Sequence, residues 1–143
     1  MGKKQRILFV CTGNSTRSLM AEGFARYYGG ADVEVESAGT GQSAIHPYCQ
    51  WAMNEAGIDV ADQASDPLPS KNLASFSHVV TLCDEARDVC PVPPASVETR
   101  HWSLPDPEKA RGRPTEVIRA FRLVRNEIER RVKELLTEIF SKT

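Results

Sequence analysis

Hydrophobic positions follow three rhythms along the chain, and each predicts an element. Arg6 to Cys11 is a nearly continuous apolar run, the pattern of a parallel strand buried on both faces. In VEVESAG, Val33 and Val35 alternate with acidic residues, which predicts a half-exposed strand. HVVTLC reads as a second apolar strand ending in a cysteine, and VETRHW as a last strand. Leu19, Met20, Phe24 and Tyr27 or Tyr28 recur at helical spacing over Ser18 to Tyr28, and Gly29 and Gly30 end that helix. HPYCQWAMNEAG predicts another, with Pro47 in its first turn and Gly57 as its stop. After PDPEKARGRP, the residues Val117, Phe121, Val124, Ile128, Val132, Leu135 and Ile139 mark one long amphipathic helix. Its arginines and glutamates form the solvated face, with pairs such as Glu127 and Arg131 four residues apart.

Four strands alternating with helices, without an internal repeat, predict a single α/β domain over residues 1–143. The expected architecture is three-layered: a mostly parallel, four-stranded sheet flanked by helices. Ligands of such sheets sit beyond the carboxyl ends of the strands, and both Cys11 and Cys83 fall there.

Composition narrows the choice of partners. A formal net charge of -1, with 26% charged residues, provides no broad basic field for nucleic acid or an anionic membrane, so any anion site must be local. The apolar stretch after MGKKQR spans only Ile7 to Val10, too short for a signal peptide or a membrane span. The expectation is a cytoplasmic monomer. In that compartment Cys11, Cys49, Cys83 and Cys90 stay reduced unless they are reactive. No pair has C-x-x-C spacing and His46, His78 and His101 are scattered, which argues against structural zinc. Cys49, close to Pro47 in a helix, reads as a packing residue.

The chemistry gathers between Cys11 and Ser18. In the intervening TGNST, Gly13 takes positive φ freely and Asn14 tolerates it. The loop Thr12, Gly13, Asn14, Ser15, Thr16 can therefore curl its amides inward. Together with the start of the Ser18 helix and the planar fork of Arg17, these amides make a cradle for a tetrahedral oxyanion. The same field lowers a cysteine pKa from about 8.5 toward neutral or below, and the Ser18 hydroxyl is placed to donate to the sulfur. A cysteine closing a strand is often no more than a small buried hydrophobe. Here strand, loop, arginine and helix arrive in the order that a nucleophile under a bound anion requires.

This C-x5-R-S pattern after a strand resembles the phosphate loop of the low-molecular-weight protein tyrosine phosphatase family. CTGNSTRSLMAEGF, ESAGT, GIDVADQASDPL, VVTLCDEARDVCP and HWSLPDPEKARG, spread over the chain, are similar to its thioredoxin-coupled arsenate reductase branch. The addition that marks that branch is a redox pair, here Cys83 and Cys90. The resemblance implies that Cys11 attacks arsenate in the grip of Arg17 and that Asp106, in the PDP turn, is the general acid. Cys83 then attacks Cys11, Cys90 attacks Cys83, and thioredoxin reduces the final disulfide. No cofactor is required. However, Asn14, Glu22, Ser37 and Asp66 match positions that bind a potassium ion in some relatives; hydrogen bonding around the loop is the alternative role for them. Several relatives carry a cysteine where this chain has Thr16, a position to which the mechanism assigns no role.

Geometry adds an expectation independent of the family. DEARDV contains good helix formers, and a helix from Cys83 to Cys90 separates their Cα atoms by about 10.5 Å. A disulfide spans at most about 7 Å. Oxidation must therefore unwind this stretch, and Pro91, Pro93 and Pro94 limit any helix beyond it.

Three other functions compete. A phosphotyrosine phosphatase would use the same Cys11, Arg17 and Asp106, but DPEKARG lacks the aromatic residues that such enzymes usually place after the acid. A reductase fed by glutathione and glutaredoxin would arrange its thiols differently from C-x6-C. A module binding arsenite or a soft metal through three cysteines would leave Arg17 and the oxyanion loop unexplained.

Overall fold

Strand β1 (Gln5–Cys11) is the middle of a parallel sheet, and its position decides where the site lies. The computed structural model describes residues 5–11, 16–39, 45–61, 63 and 66–141. Around β1 stand β2 (Val33–Gly39), β3 (Asp66–Pro67), β4 (His78–Thr81) and β5 (Glu98–His101), in the order β3-β2-β1-β4-β5. Every neighbouring pair is parallel. The chain leaves β1 toward β2 and later returns on its other side as β4. The carboxyl end of β1 is therefore the topological switch point, where open α/β sheets hold ligands.

The period of two along β1 divides the core. Ile7 and Phe9 face a layer formed by α1 (Thr16–Gly29), α2 (Pro47–Glu55) and α4 (Pro114–Ser141), where they meet Met20, Phe24, Met53, Phe121 and Ile128. Leu8 and Val10 face the opposite side, with Leu68, Phe76, Val79 and Ala86, the last on α3 (Asp84–Val89). Residues 7–10 are fully buried, as a central strand covered on both faces requires.

The helices obey local chemistry. The His46 ring nitrogen accepts from the Tyr48 amide at 3.1 Å and Pro47 occupies the first turn of α2. Gly57, with φ +85°, follows the end of that helix, a conformation that a side chain would strain. In α4, Phe121, Val124, Ile128, Val132, Leu135 and Ile139 are buried and Val117 is half-buried, while Arg131 pairs with Glu127 at 3.0 Å on the outer face.

The structure corrects several boundaries. The sheet has five strands rather than four, because Asp66 and Pro67 pair with Ala38 and Gly39. Helix α1 begins at Thr16, not Ser18, so Arg17 lies within its first turn. The apolar run of β4 leaves the ladder after Thr81: the Leu82 amide still bonds the Val10 carbonyl at 2.9 Å, but Cys83, extended at φ -152°, is the N-cap of α3. Among the described residues, no helix is long and apolar enough to cross a membrane.

Candidate active site

Cys11 ends β1 and is 1% exposed. Cys83 leaves the neighbouring β4 at the same level, and the parallel register brings the two sulfurs into hydrogen-bond contact. Arg17, 5% exposed in the first turn of α1, faces the same crevice. Its Nη1 donates to the Leu104 carbonyl at 2.8 Å, and Nη2 lies 3.9 Å from Asp106 Oδ2. The buried Arg17 Nε has no hydrogen-bond partner among the described residues. A buried guanidinium N–H left in this condition is costly unless a ligand accepts from it. Arg17, Cys83, Asp84, Ser103, Asp106 and Lys109 line a cavity of about 380 Å³, ample for a small oxyanion.

Asp106 is set by its own turn. Its Oδ1 accepts from the Glu108 amide at 3.0 Å and so caps the short helical turn Pro107–Lys109, leaving Oδ2 toward Arg17. Glu108, absent from the sequence reading, anchors this turn: its Oε2 accepts from the buried Thr16 hydroxyl at 2.5 Å. A contact across 92 positions leaves no periodic or motif signal, but it gives Thr16 a role in joining the Asp106 turn to the start of α1.

The thiols differ in state. The Cys11 thiol is pushed up, first by its hydrogen bond with Cys83 and then by burial, against the pull of the Arg17 charge and the Ser18 backbone amide. This reverses the lowering expected from the sequence. That lowering relied on amides of residues 12–15, which lie outside the described residues, as do the oxyanion-cradle positions Thr12, Gly13, Asn14 and Ser15. Cys49 is fully buried, its thiol directed at the Thr16 carbonyl at 3.8 Å, and it is pushed up to about 12 by burial and by the charge of Glu108.

Cys90 does not line the crevice, although it packs against the cluster that contains Cys11 and Cys83. It is half-buried at the far end of α3, its amide bonded to the Ala86 carbonyl at 2.9 Å, and burial raises its thiol. It borders a second cavity of about 550 Å³ with Arg87, Pro91, Pro93 and Pro94. None of the four cysteines is in a disulfide.

The cation positions are occupied by protein charges. Ser37 Oγ donates to Glu22 Oε1 at 2.6 Å, which brings those two together, but Glu22 Oε2 pairs with Arg26 at 2.5 Å. Asp66 Oδ2 pairs with Lys71 Nζ at 2.7 Å, and the same ammonium reaches Glu36 at 2.6 Å. Asn14 lies outside the described residues. Both carboxylates of this set are thus paired with side-chain cations. Among the described residues no cluster of three or more His, Cys, Asp or Glu suits a metal.

Comparison with known proteins agrees with this geometry. An arsenate reductase of Shouchella clausii is 47% identical over 131 residues, 92% of this chain and 94% of that protein. One of Bacillus subtilis is 45% identical over 128 residues, 90% of this chain and 92% of that protein. Among solved structures, an arsenate reductase in the oxidized state superposes with a TM-score of 0.82 at 33% identity, covering 94% of this chain and 98% of the other. A thioredoxin-dependent arsenate reductase of Corynebacterium glutamicum gives 0.78 at 26% identity, covering 99% of this chain and 64% of the other. Residues 6–143 match the model of the low molecular weight phosphotyrosine protein phosphatase family, and the chain belongs to that family.

Proposed function

We propose that the protein reduces arsenate to arsenite by a relay of Cys11, Cys83 and Cys90, with thioredoxin as the final reductant. The observation that carries this reading is the interaction between the Cys11 and Cys83 thiols beside the buried guanidinium of Arg17, whose Nε has no hydrogen-bond partner among the described residues. A phosphatase acting through Cys11 alone has no use for a second thiol in that place. Relatives 41–47% identical over most of the chain are arsenate reductases, which supports the same substrate.

In this mechanism arsenate enters the crevice as a tetrahedral anion and is held by Arg17 and the residues from Thr12 to Ser18. As arsenate binds, Cys11 passes its thiol proton to an arsenate oxygen and attacks arsenic as the thiolate, and that oxygen leaves as water with a second proton from Asp106. Cys83 next attacks the Cys11 sulfur. The sulfur–arsenic bond breaks and its electron pair stays on arsenic, so arsenic(V) becomes arsenic(III) as two thiols become a disulfide. Cys90 then attacks Cys83 and releases Cys11 by thiol exchange without further oxidation. Reduced thioredoxin returns two electrons to the Cys83–Cys90 bond. The thioredoxin-dependent neighbour from Corynebacterium glutamicum and the C-x6-C spacing favour this donor over glutathione. The relay requires no bound metal, works as a monomer and belongs in the reducing cytoplasm.

A single turnover tests the proposal: fully reduced protein, excess arsenate and no reductant, followed by alkylation and mass-spectrometric mapping. One arsenite released per chain together with a Cys83–Cys90 bond is the expected result. Four free thiols in a folded protein reject the relay and leave phosphate-ester hydrolysis at Cys11 as the reading.

A further inference from the structure

Residues outside the reacting thiols hold the first turn of α3 to the sheet. His101, at the end of β5, places Nε2 2.7 Å from Asp84 Oδ1 and Nδ1 2.7 Å from the Thr81 hydroxyl, at the end of β4. Ser103 Oγ reaches the same Asp84 oxygen at 3.4 Å. Thr81 and His101 are fixed opposite one another by the β4–β5 register, whereas Asp84 is the first residue of α3 and directly follows Cys83. The ring donates from Nε2 to Asp84 and accepts at Nδ1 from the Thr81 hydroxyl.

We propose that Thr81, His101 and Asp84 form a tether that holds α3 in its helical, dithiol form and must be released when Cys83 and Cys90 join. The inference rests on the relay proposed above. Its physical basis is the length of α3. Helical bonds from the Cys83 carbonyl to the Arg87 amide at 3.1 Å and from the Ala86 carbonyl to the Cys90 amide at 2.9 Å keep the two cysteines apart. Closing an S–S bond requires those bonds to break. The backbone that must rearrange begins at Asp84, whose carboxylate is the tether's only member on the moving segment. His101 and Thr81 are thus positioning residues: they touch no substrate, but they set the free-energy gap between dithiol and disulfide. The Asp84 carboxyl is held below its usual range, first by the His101 hydrogen bond, as expected for a contact that favours the closed helix.

The chemistry involved is one exchange. The disulfide of an external redox buffer is reduced to two thiols while Cys83 and Cys90 lose two electrons and two protons to form their bond. The test measures this equilibrium in a Cys11→Ser background against defined ratios of reduced to oxidised dithiothreitol, with alkylation and mass mapping as the readout. Removing a hydrogen bond to a charged group by His101→Ala or Asp84→Ala is expected to favour the disulfide about tenfold, which is about 30 mV for a two-electron couple. The double variant should shift no further than either single one, because both break the same bridge. His101→Gln, which keeps a donor near the Nε2 position, should return toward the parent value, a rescue that a general loss of packing would not give.

Unchanged equilibria in variants confirmed as folded by circular dichroism overturn the tether. Additive shifts, or a disulfide made less stable, overturn it as well. A parent protein that forms no Cys83–Cys90 bond at any ratio overturns the relay and the tether together, and is distinguished from the other failures by the mass map alone.

Discussion

Thr16→Val is the substitution that most directly tests how the site is assembled. Valine keeps the shape of threonine and its β-branching, so the first turn of α1 should be retained. What it removes is the hydroxyl that donates to Glu108 Oε2 at 2.5 Å from a residue 2% exposed. A hydrogen bond to a charged group contributes about 1.5–3 kcal/mol. Because Glu108 is half-buried and can turn to water, the lower end applies, about 1.5 kcal/mol. For a chain of this length that corresponds to a fall in Tm of about 3–6 °C. The same bond docks the turn in which Asp106 Oδ2 stands 3.9 Å from Arg17, so catalysis should suffer too. If the whole loss appears as undocking of the turn, kcat/KM for arsenate falls about tenfold. Thermal melts and steady-state kinetics measure the two effects, and Thr16→Ser should restore most of both. A Tm within about 1 °C of the parent together with unchanged kinetics would show that Glu108 does not anchor the turn.

Arg17→Lys should lower kcat/KM by about 10²-fold or more, since an ammonium cannot reproduce the fork that spans Leu104 and the cavity; steady-state assays with a folded variant decide it. Exchanging sodium for potassium at constant ionic strength should leave the single-turnover rate unchanged, because Lys71 and Arg26 already neutralise Asp66 and Glu22; acceleration by potassium contradicts that account. Glu55 is held down at about 2 by hydrogen bonds from Arg122 and then Arg125, below its ordinary 4.5. Its folded pKa is depressed, so its contribution is complete above the unfolded value and lost as pH falls through the folded one. The Tm advantage of the parent over Glu55→Gln should therefore be greatest above about 4.5 and vanish toward pH 2, as read by melts across that range. Asp88→Ala removes a poor helix former, and a negative charge, from the last turn of the six-residue α3. Rapid-quench mapping should find Cys11–Cys83 formation unaffected and the exchange to Cys83–Cys90 slowed about twofold to fivefold; equal rates refute the need for unwinding.

The parts of the fold legible in the sequence are those where burial imposes a period. β1 is apolar throughout because both its faces are covered, and α4 repeats at three and four because one face packs on the sheet. Strand β3 was not legible: two residues, one a proline, carry no alternation, and they are a strand only because Ala38 and Gly39 lie alongside. In the site, the succession Cys11, loop, Arg17 was readable since its members are close in sequence. The partners of Thr16, Asp66 and Asp84 were not. Glu108, Lys71 and His101 are chosen by folded geometry, and nothing local in ADQASDPLPSK indicates that Lys71 will turn back upon two carboxylates. The Cys11 thiol illustrates the same limit, because its state depends on a sulfur 72 positions away that only the register brings near.

That register also orders the proposed chemistry. β1 and β4 run parallel, with Val10 opposite Thr81 and the Leu82 amide on the Val10 carbonyl, so Cys11 and Cys83 leave the sheet side by side. A bond between these two sulfurs joins side chains that already interact. Cys90 is held off by the six helical residues of α3, so the second exchange needs backbone rearrangement. The fold thus separates a fast step, which takes electrons to arsenic inside the crevice, from a slower one that carries the oxidation outward. The separation matters because a disulfide left at Cys11 and Cys83 would occupy the nucleophile at the bottom of a buried site. Transfer to Cys90, on the border of a different cavity, frees Cys11 and places the oxidised pair nearer the surface, where a protein reductant can reach it. On this argument α3 is short for a reason: six residues fold into a helix that holds the thiols apart, and unwinding it moves Ala86, buried in the cluster of Leu8 and Val10, but no residue of the sheet itself.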